Sequence, residues 1–128
     1  MATKCSKVLV VEDDHDIREI LVDVLQNEGF DTVEAVHGLE ALEKLKGEKE
    51  PVLVFLDLMM PKMSGWELLD HEQELSGHRV VTMSVFDSTA SLQDPSPLDV
   101  DHALRKPVSV EDVLACAHRF AAPSKAMA

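Results

Sequence analysis

The stretch Val52-Leu53-Val54-Phe55-Leu56-Asp57-Leu58-Met59-Met60-Pro61 decides the fold. Its apolar run reads as a strand buried on both faces, the kind found in a parallel sheet covered by helices. The run ends in one carboxylate, Asp57, and open α/β sheets hold their ligands in the crevice at the carboxyl ends of their strands. A carboxylate in that place can be a nucleophile, a metal ligand or both. It can also do no more than cap a turn.

Two other segments give Asp57 its meaning. Val8-Leu9-Val10-Val11-Glu12-Asp13-Asp14 is a second short apolar run ending in acid. If the two strands are parallel neighbours, their carboxylates meet at one sheet edge. Clustered carboxylates repel, so such a group needs a compensating cation or protonation of some members. Oxygen-only ligands in small number, with positions left for water, suit Mg2+ better than Ca2+. The third segment, Arg105-Lys106-Pro107, follows the last strand candidate and offers a flexible ammonium donor beside a proline that restricts the chain.

Between these segments the pattern alternates strand and helix. Ile17, Ile20, Leu21, Val24 and Leu25 follow helical spacing, with acids at the start and Gly29 as a stop. Residues 30–36 read as the second strand, and Leu39, Leu42 and Leu45 mark a short helix ending near Gly47. Trp66, Leu68, Leu69 and Leu75 predict a third helix, and residues 80–85 a fourth strand. Residues 87–100 are the least regular: Leu92 is nearly the only large apolar residue before Pro95 and Pro97, so a short or irregular fourth helix is expected. A modest strand at residues 103–105 precedes a final helix with Val110, Val113, Leu114, Ala117 and Ala121 on its apolar stripe. The alternation predicts an α/β, doubly wound, five-stranded parallel sheet. Residues 1–123 are expected to form one domain and residues 124–128 a flexible tail.

The chain has 128 residues, 45% hydrophobic and 28% charged, enough for one domain with a core of its own. Its formal net charge is −12. That balance disfavours direct nucleic-acid binding, which depends on lysine and arginine displacing counterions, and disfavours anionic membrane surfaces equally. The two cysteines, Cys5 and Cys116, form no CxxC pair. No signal-peptide pattern or spanning apolar stretch is visible, so a reducing cytoplasmic location is expected. His71-Glu72-Gln73-Glu74-Leu75 lacks the second histidine of a zinc-protease helix, and Ile17 stands where an EF-hand starting at Glu12 needs glycine.

Taken in order, Glu12-Asp13, Asp57, Pro61 and Gly65, Ser84, and Lys106-Pro107 resemble the receiver domain of two-component response regulators, over residues from about Lys7 to Phe120. The resemblance implies the flavodoxin-like receiver fold with strand order 2-1-3-4-5. It implies that Asp57 accepts a phosphoryl group from a sensor histidine kinase or histidine phosphotransfer protein. Asp13 would coordinate Mg2+ together with Asp57 and the backbone carbonyl of Met59, with Glu12 acting through a water. Lys106 would pair with Asp57 and then with the phosphoryl group, supported by Pro107, and Ser84 would donate its hydroxyl. Partner binding, to the kinase and to a downstream protein, is expected around the fourth and fifth strands.

Three positions depart from the family pattern. Glu12 stands where Asp is usual, Ala103 where an aromatic switch residue is usual, and Val85 where a smaller residue is usual. Retained phosphorylation chemistry with an atypical output is therefore expected of a stand-alone receiver that is not an enzyme toward external substrates. The alternative is a receiver-like module that docks a partner whatever its phosphorylation. An aspartate-nucleophile phosphatase is disfavoured, because it needs a second acid where this chain has Met59.

Overall fold

A computed structural model describes residues 5–58, 77–84, 102–106 and 108–122, with backbone alone at Ser84, His102, Ala103 and Arg105. Five strands, β1 (Lys7–Val11), β2 (Thr32–Ala35), β3 (Val52–Asp57), β4 (Arg79–Ser84) and β5 (His102–Arg105), form one sheet. Its order is β2-β1-β3-β4-β5, and every pairing is parallel. This is the order implied by the resemblance. Three described helices are α1 (His15–Asn27), α2 (Gly38–Lys46) and α3 (Val110–Phe120).

The two-residue period of the strands sorts their side chains onto two faces. Val8, Val10, Leu53, Phe55, Val81 and Met83 pack with α1 and α3, while Leu9, Val11, Val54, Leu56 and Val80 pack with α2. Helices thus cover both faces, as the unbroken apolar run of β3 requires. Every residue of β3 is buried, Asp57 among them.

The helix ends follow local chemistry. Asp14 caps α1, accepting hydrogen bonds from the backbone N–H groups of Asp16 and Ile17 at 3.0 and 3.2 Å. The helix stops at Gly29, whose φ of 98° lies in the left-handed region that glycine adopts without steric cost. Phe30 then turns into the core beside α1, so the second strand begins at Thr32 and not at residue 30.

The buried face of α1 differs from the apolar stripe in the sequence. Arg18, Leu21, Val22 and Leu25 are buried, whereas Ile17 and Ile20 are 42% and 54% exposed. The polar contacts of Arg18 described below set this rotation. Val110 is likewise exposed, and Ala121 lies past the end of α3, where it forms a parallel bridge with Cys5. The expected third and fourth helices, the Met59 carbonyl, Val85, Pro107 and the tail lie outside the described residues, as do the side chains of Ser84 and Ala103.

Candidate functional site

Register explains how three distant segments meet. Val11, the last residue of β1, pairs with Leu56, so one step further Glu12 reaches the edge where Asp57 ends β3. Asp57 pairs with Met83, and Ser84 pairs with Arg105, so the backbone of Ser84 and the start of the Lys106 segment arrive at the same edge. The predicted cluster of acids and ammonium is therefore a direct product of parallel pairing.

Lys106 Nζ lies 3.0 Å from Asp57 Oδ2 and 3.6 Å from Glu12 Oε1. Glu12 and Asp57 are each only 1% exposed, while Asp13, the third acid, is exposed. Glu12, Asp13 and Asp57 each offer a carboxylate oxygen within 4.8 Å of the others. Burial pushes the Glu12 carboxyl up to about 8, with the adjacent Asp57 carboxyl adding to the shift and Lys106 opposing it. Burial works against the Lys106 ammonium, but its contacts with Asp57 and Glu12 outweigh that and hold its pKa above the ordinary value.

The acids suit a hard divalent ion. Glu12 Oε1 is fully buried without a hydrogen-bond partner, although Oε2 accepts from the Asp14 N–H at 3.3 Å. A buried oxygen left in this state costs free energy that a cation would offset. Asp13 and Asp57 complete an all-oxygen set. The Lys106 ammonium compensates part of the acidic charge.

One contributor did not emerge from the sequence. Arg18 is only 7% exposed, and it donates from Nη1 to the Glu12 carbonyl at 3.0 Å and from Nε to Glu34 Oε1 at 3.3 Å. Its sole sequence signal is a position next to an apolar helical stripe, which describes most solvated arginines as well. Asp16 is an exposed acid in the first turn of α1.

A groove of about 460 Å3 opens beside the site, lined mainly by Ile17, Ile20, Leu21, Met83, Val108 and Val110. Glu12 and Lys106 also line it. Apolar side chains exposed next to an ionic cluster are characteristic of a contact surface. Among the described residues, no helix is long and apolar enough to cross a membrane.

Residues 8–118 match the family model for the response regulator receiver domain. The chain is 36% identical over 110 residues to a transcriptional regulatory protein CpxR homolog from Haemophilus influenzae, covering 86% of this chain and 48% of the relative. It thus spans about half the length of that relative. It is 32% identical over 108 residues to sporulation initiation phosphotransferase F from Bacillus subtilis, covering 84% of this chain and 86% of the relative. Among solved structures it resembles response regulator protein TrrA from Thermotoga maritima, crystallised in complex with Mg2+ and BeF. That match has a TM-score of 0.74 and 27% identity, covering 90% of this chain and 98% of the other.

Proposed function

The chain belongs to the response regulator receiver domain family, and from that premise we propose that it accepts a phosphoryl group on Asp57 and relays a signal by protein–protein contact in the cytoplasm. The observation that carries this reading is the 3.0 Å contact between Lys106 Nζ and Asp57 Oδ2, with Glu12 and Asp13 gathered around it. The donor is the phosphohistidine of a sensor kinase or phosphotransfer protein. One Asp57 oxygen forms a bond to phosphorus as the bond from phosphorus to the partner's imidazole nitrogen breaks, and that nitrogen keeps the electron pair.

Lys106 first holds the Asp57 carboxylate in place and then donates to an oxygen of the transferred group. Asp13 and Asp57, with Glu12 through a water and the Met59 carbonyl, would hold Mg2+, which when bound offsets the negative charge of phosphoryl transfer. One ammonium does not balance the Asp13 and Asp57 carboxylates together with the incoming phosphoryl charge. Ser84, from the end of β4, donates its hydroxyl to the phosphoryl group in the same reading.

The groove beside the site is where the partner docks in this reading, on α1 and the start of α3, which is a different face from the one the sequence suggested around the fourth and fifth strands. Ile17 and Ile20 on α1 and Val110 on α3 are 42%, 54% and 40% exposed and flank the groove at the site. Burying them against a partner recovers apolar free energy beside the site. The reading makes the protein a phosphoacceptor and not an enzyme acting on an external ester.

The test is incubation with acetyl phosphate and Mg2+, followed by intact-mass and peptide-level detection of phosphate. Uptake confined to Asp57, dependent on Mg2+ and lost in Asp57→Asn, is the expected result. Absence of uptake by the wild-type protein from acetyl phosphate and from a panel of histidine kinases would sink the reading.

A further inference from the structure

Resting on the Mg2+-dependent reading above, we infer that Arg18 is a positioning residue for the cation site: its guanidinium, anchored by Glu34, fixes the Glu12–Asp13 peptide so that the Asp13 carboxylate faces Asp57.

Arginine is seldom buried, because removing a guanidinium from water is costly unless its donors are satisfied. Here the side chain turns inward although Ile17 and Ile20, on the same helix, remain in solvent. What it gains is two directed bonds. Nη1 meets the Glu12 carbonyl in a buried contact of 3.0 Å, and Nε meets Glu34 Oε1 at 3.3 Å. Glu34 belongs to β2 and stands opposite Val10 of β1, so the anchor sits on the sheet and not on a loop.

The Glu12 carbonyl belongs to the same planar peptide unit as the Asp13 nitrogen. Holding that oxygen therefore restricts the orientation of the chain entering Asp13. The Glu12 N–H is held as well, donating to the Ala35 carbonyl at 3.1 Å. Both backbone polar groups of residue 12 are thus tied, one to β2 directly and the other through Arg18. Without such ties, repulsion among the Asp13, Asp14 and Asp57 carboxylates would splay this segment away from the sheet edge. The guanidinium touches no carboxylate of the trio in these contacts, so it acts by aiming the ligands and not by neutralising them.

Isothermal titration of the full 128-residue protein with MgCl2 tests the inference. Arg18→Met should weaken Mg2+ binding about tenfold, in the range seen when outer-shell partners of metal ligands are removed. Arg18→Lys should recover part of that loss, and Glu34→Gln, which keeps the arginine but weakens its anchor, should weaken binding by a smaller factor. The rate of phosphate uptake from acetyl phosphate, measured against Mg2+ concentration, should shift its half-saturation point upward in Arg18→Met and return to the wild-type plateau at high Mg2+. Wild-type affinity in Arg18→Met overturns the inference, as does tighter binding, which would mean that the guanidinium only opposes the cation. A lowered plateau with an unmoved half-saturation point also overturns it, since that marks a general structural role. If Arg18→Met fails to fold, Glu34→Gln carries the test, and unchanged Mg2+ affinity there is decisive. Wild-type protein that binds no Mg2+ defeats the proposed function itself, whereas normal wild-type binding with an indifferent Arg18 defeats only this inference.

Discussion

The two ends of the β-sheet are built on opposite terms. At the carboxyl end, Asp57, Glu12 and Asp13 crowd around one ammonium, and a buried Glu12 oxygen has no hydrogen-bond partner. At the amino end, the polar groups are matched: His78 Nδ1 accepts from the Val52 N–H at 2.9 Å, and Lys7 pairs with Glu48 at 2.7 Å. Cys5 joins that end to the far terminus of α3, accepting from the Ala122 N–H and donating to the Phe120 carbonyl. The same strands run through both ends. The difference teaches that strand pairing fixes the frame, while polar groups are matched at one end and concentrated beyond local matching at the other.

If the apolar middle of the sheet supports both ends, its loss should outweigh any change at either. Phe55, fully buried two residues before Asp57, is the test: Phe55→Ala should cost about 3 to 5 kcal/mol in chemical denaturation. A cost below about 1 kcal/mol would mean that the ends stand without the core between them.

The two ends should also respond to pH in opposite directions. Burial raises the Glu12 carboxyl from 4.5 to about 8, so the folded state binds its proton more tightly than the unfolded chain does. Its contribution to stability is therefore complete below pH 4.5 and is lost as pH rises toward about 8. In chelator-treated protein, thermal melting should show a decline over that window that Mg2+ reduces and Glu12→Gln removes. A decline that persists in Glu12→Gln would assign it elsewhere.

His78 behaves conversely. Burial lowers its pKa below 6.5, favouring the neutral ring that can accept from Val52. The stability it contributes is present above pH 6.5 and is lost as pH falls through the lower, folded-state value. His78→Ala should remove this acid-side loss and cost about 1 kcal/mol at pH 7.5, with no change in phosphate uptake. Altered uptake would break the separation between the ends.

The smallest effect belongs to Lys7. Its contact with Glu48 holds the ammonium pKa up, yet both side chains are about a quarter exposed, at 27% and 26%. Lys7→Met should therefore change stability by less than about 1 kcal/mol, and less still in high salt.

Much of this arrangement was legible in the sequence because strand pairing is regular. Runs of apolar residues ending in Asp57 and Glu12-Asp13 fixed where carboxylates would gather once the strands lay parallel, and the resemblance supplied the strand order. The face of α1 was less legible. Periodicity counts apolar letters, so it turned Ile17 and Ile20 inward, whereas the structure buries Arg18 through bonds to a carbonyl and to Glu34. No local pattern announces a bond between positions on different elements. The same reason hid His78, whose partner Val52 lies 26 residues away. Phe30 was read as strand because an aromatic residue beside a β-branched run scores alike whether it pairs or packs.

The Cys5–Ala121 bridge brings the backbone at the start of β1 beside the backbone leaving α3, at the edge away from Asp57. A chain entering and leaving at adjacent points can be grafted into a loop of another protein, or closed with a short glycine tether and reopened elsewhere, with little strain on its frame. Such rewiring would leave the acidic cluster at the opposite end of the sheet untouched.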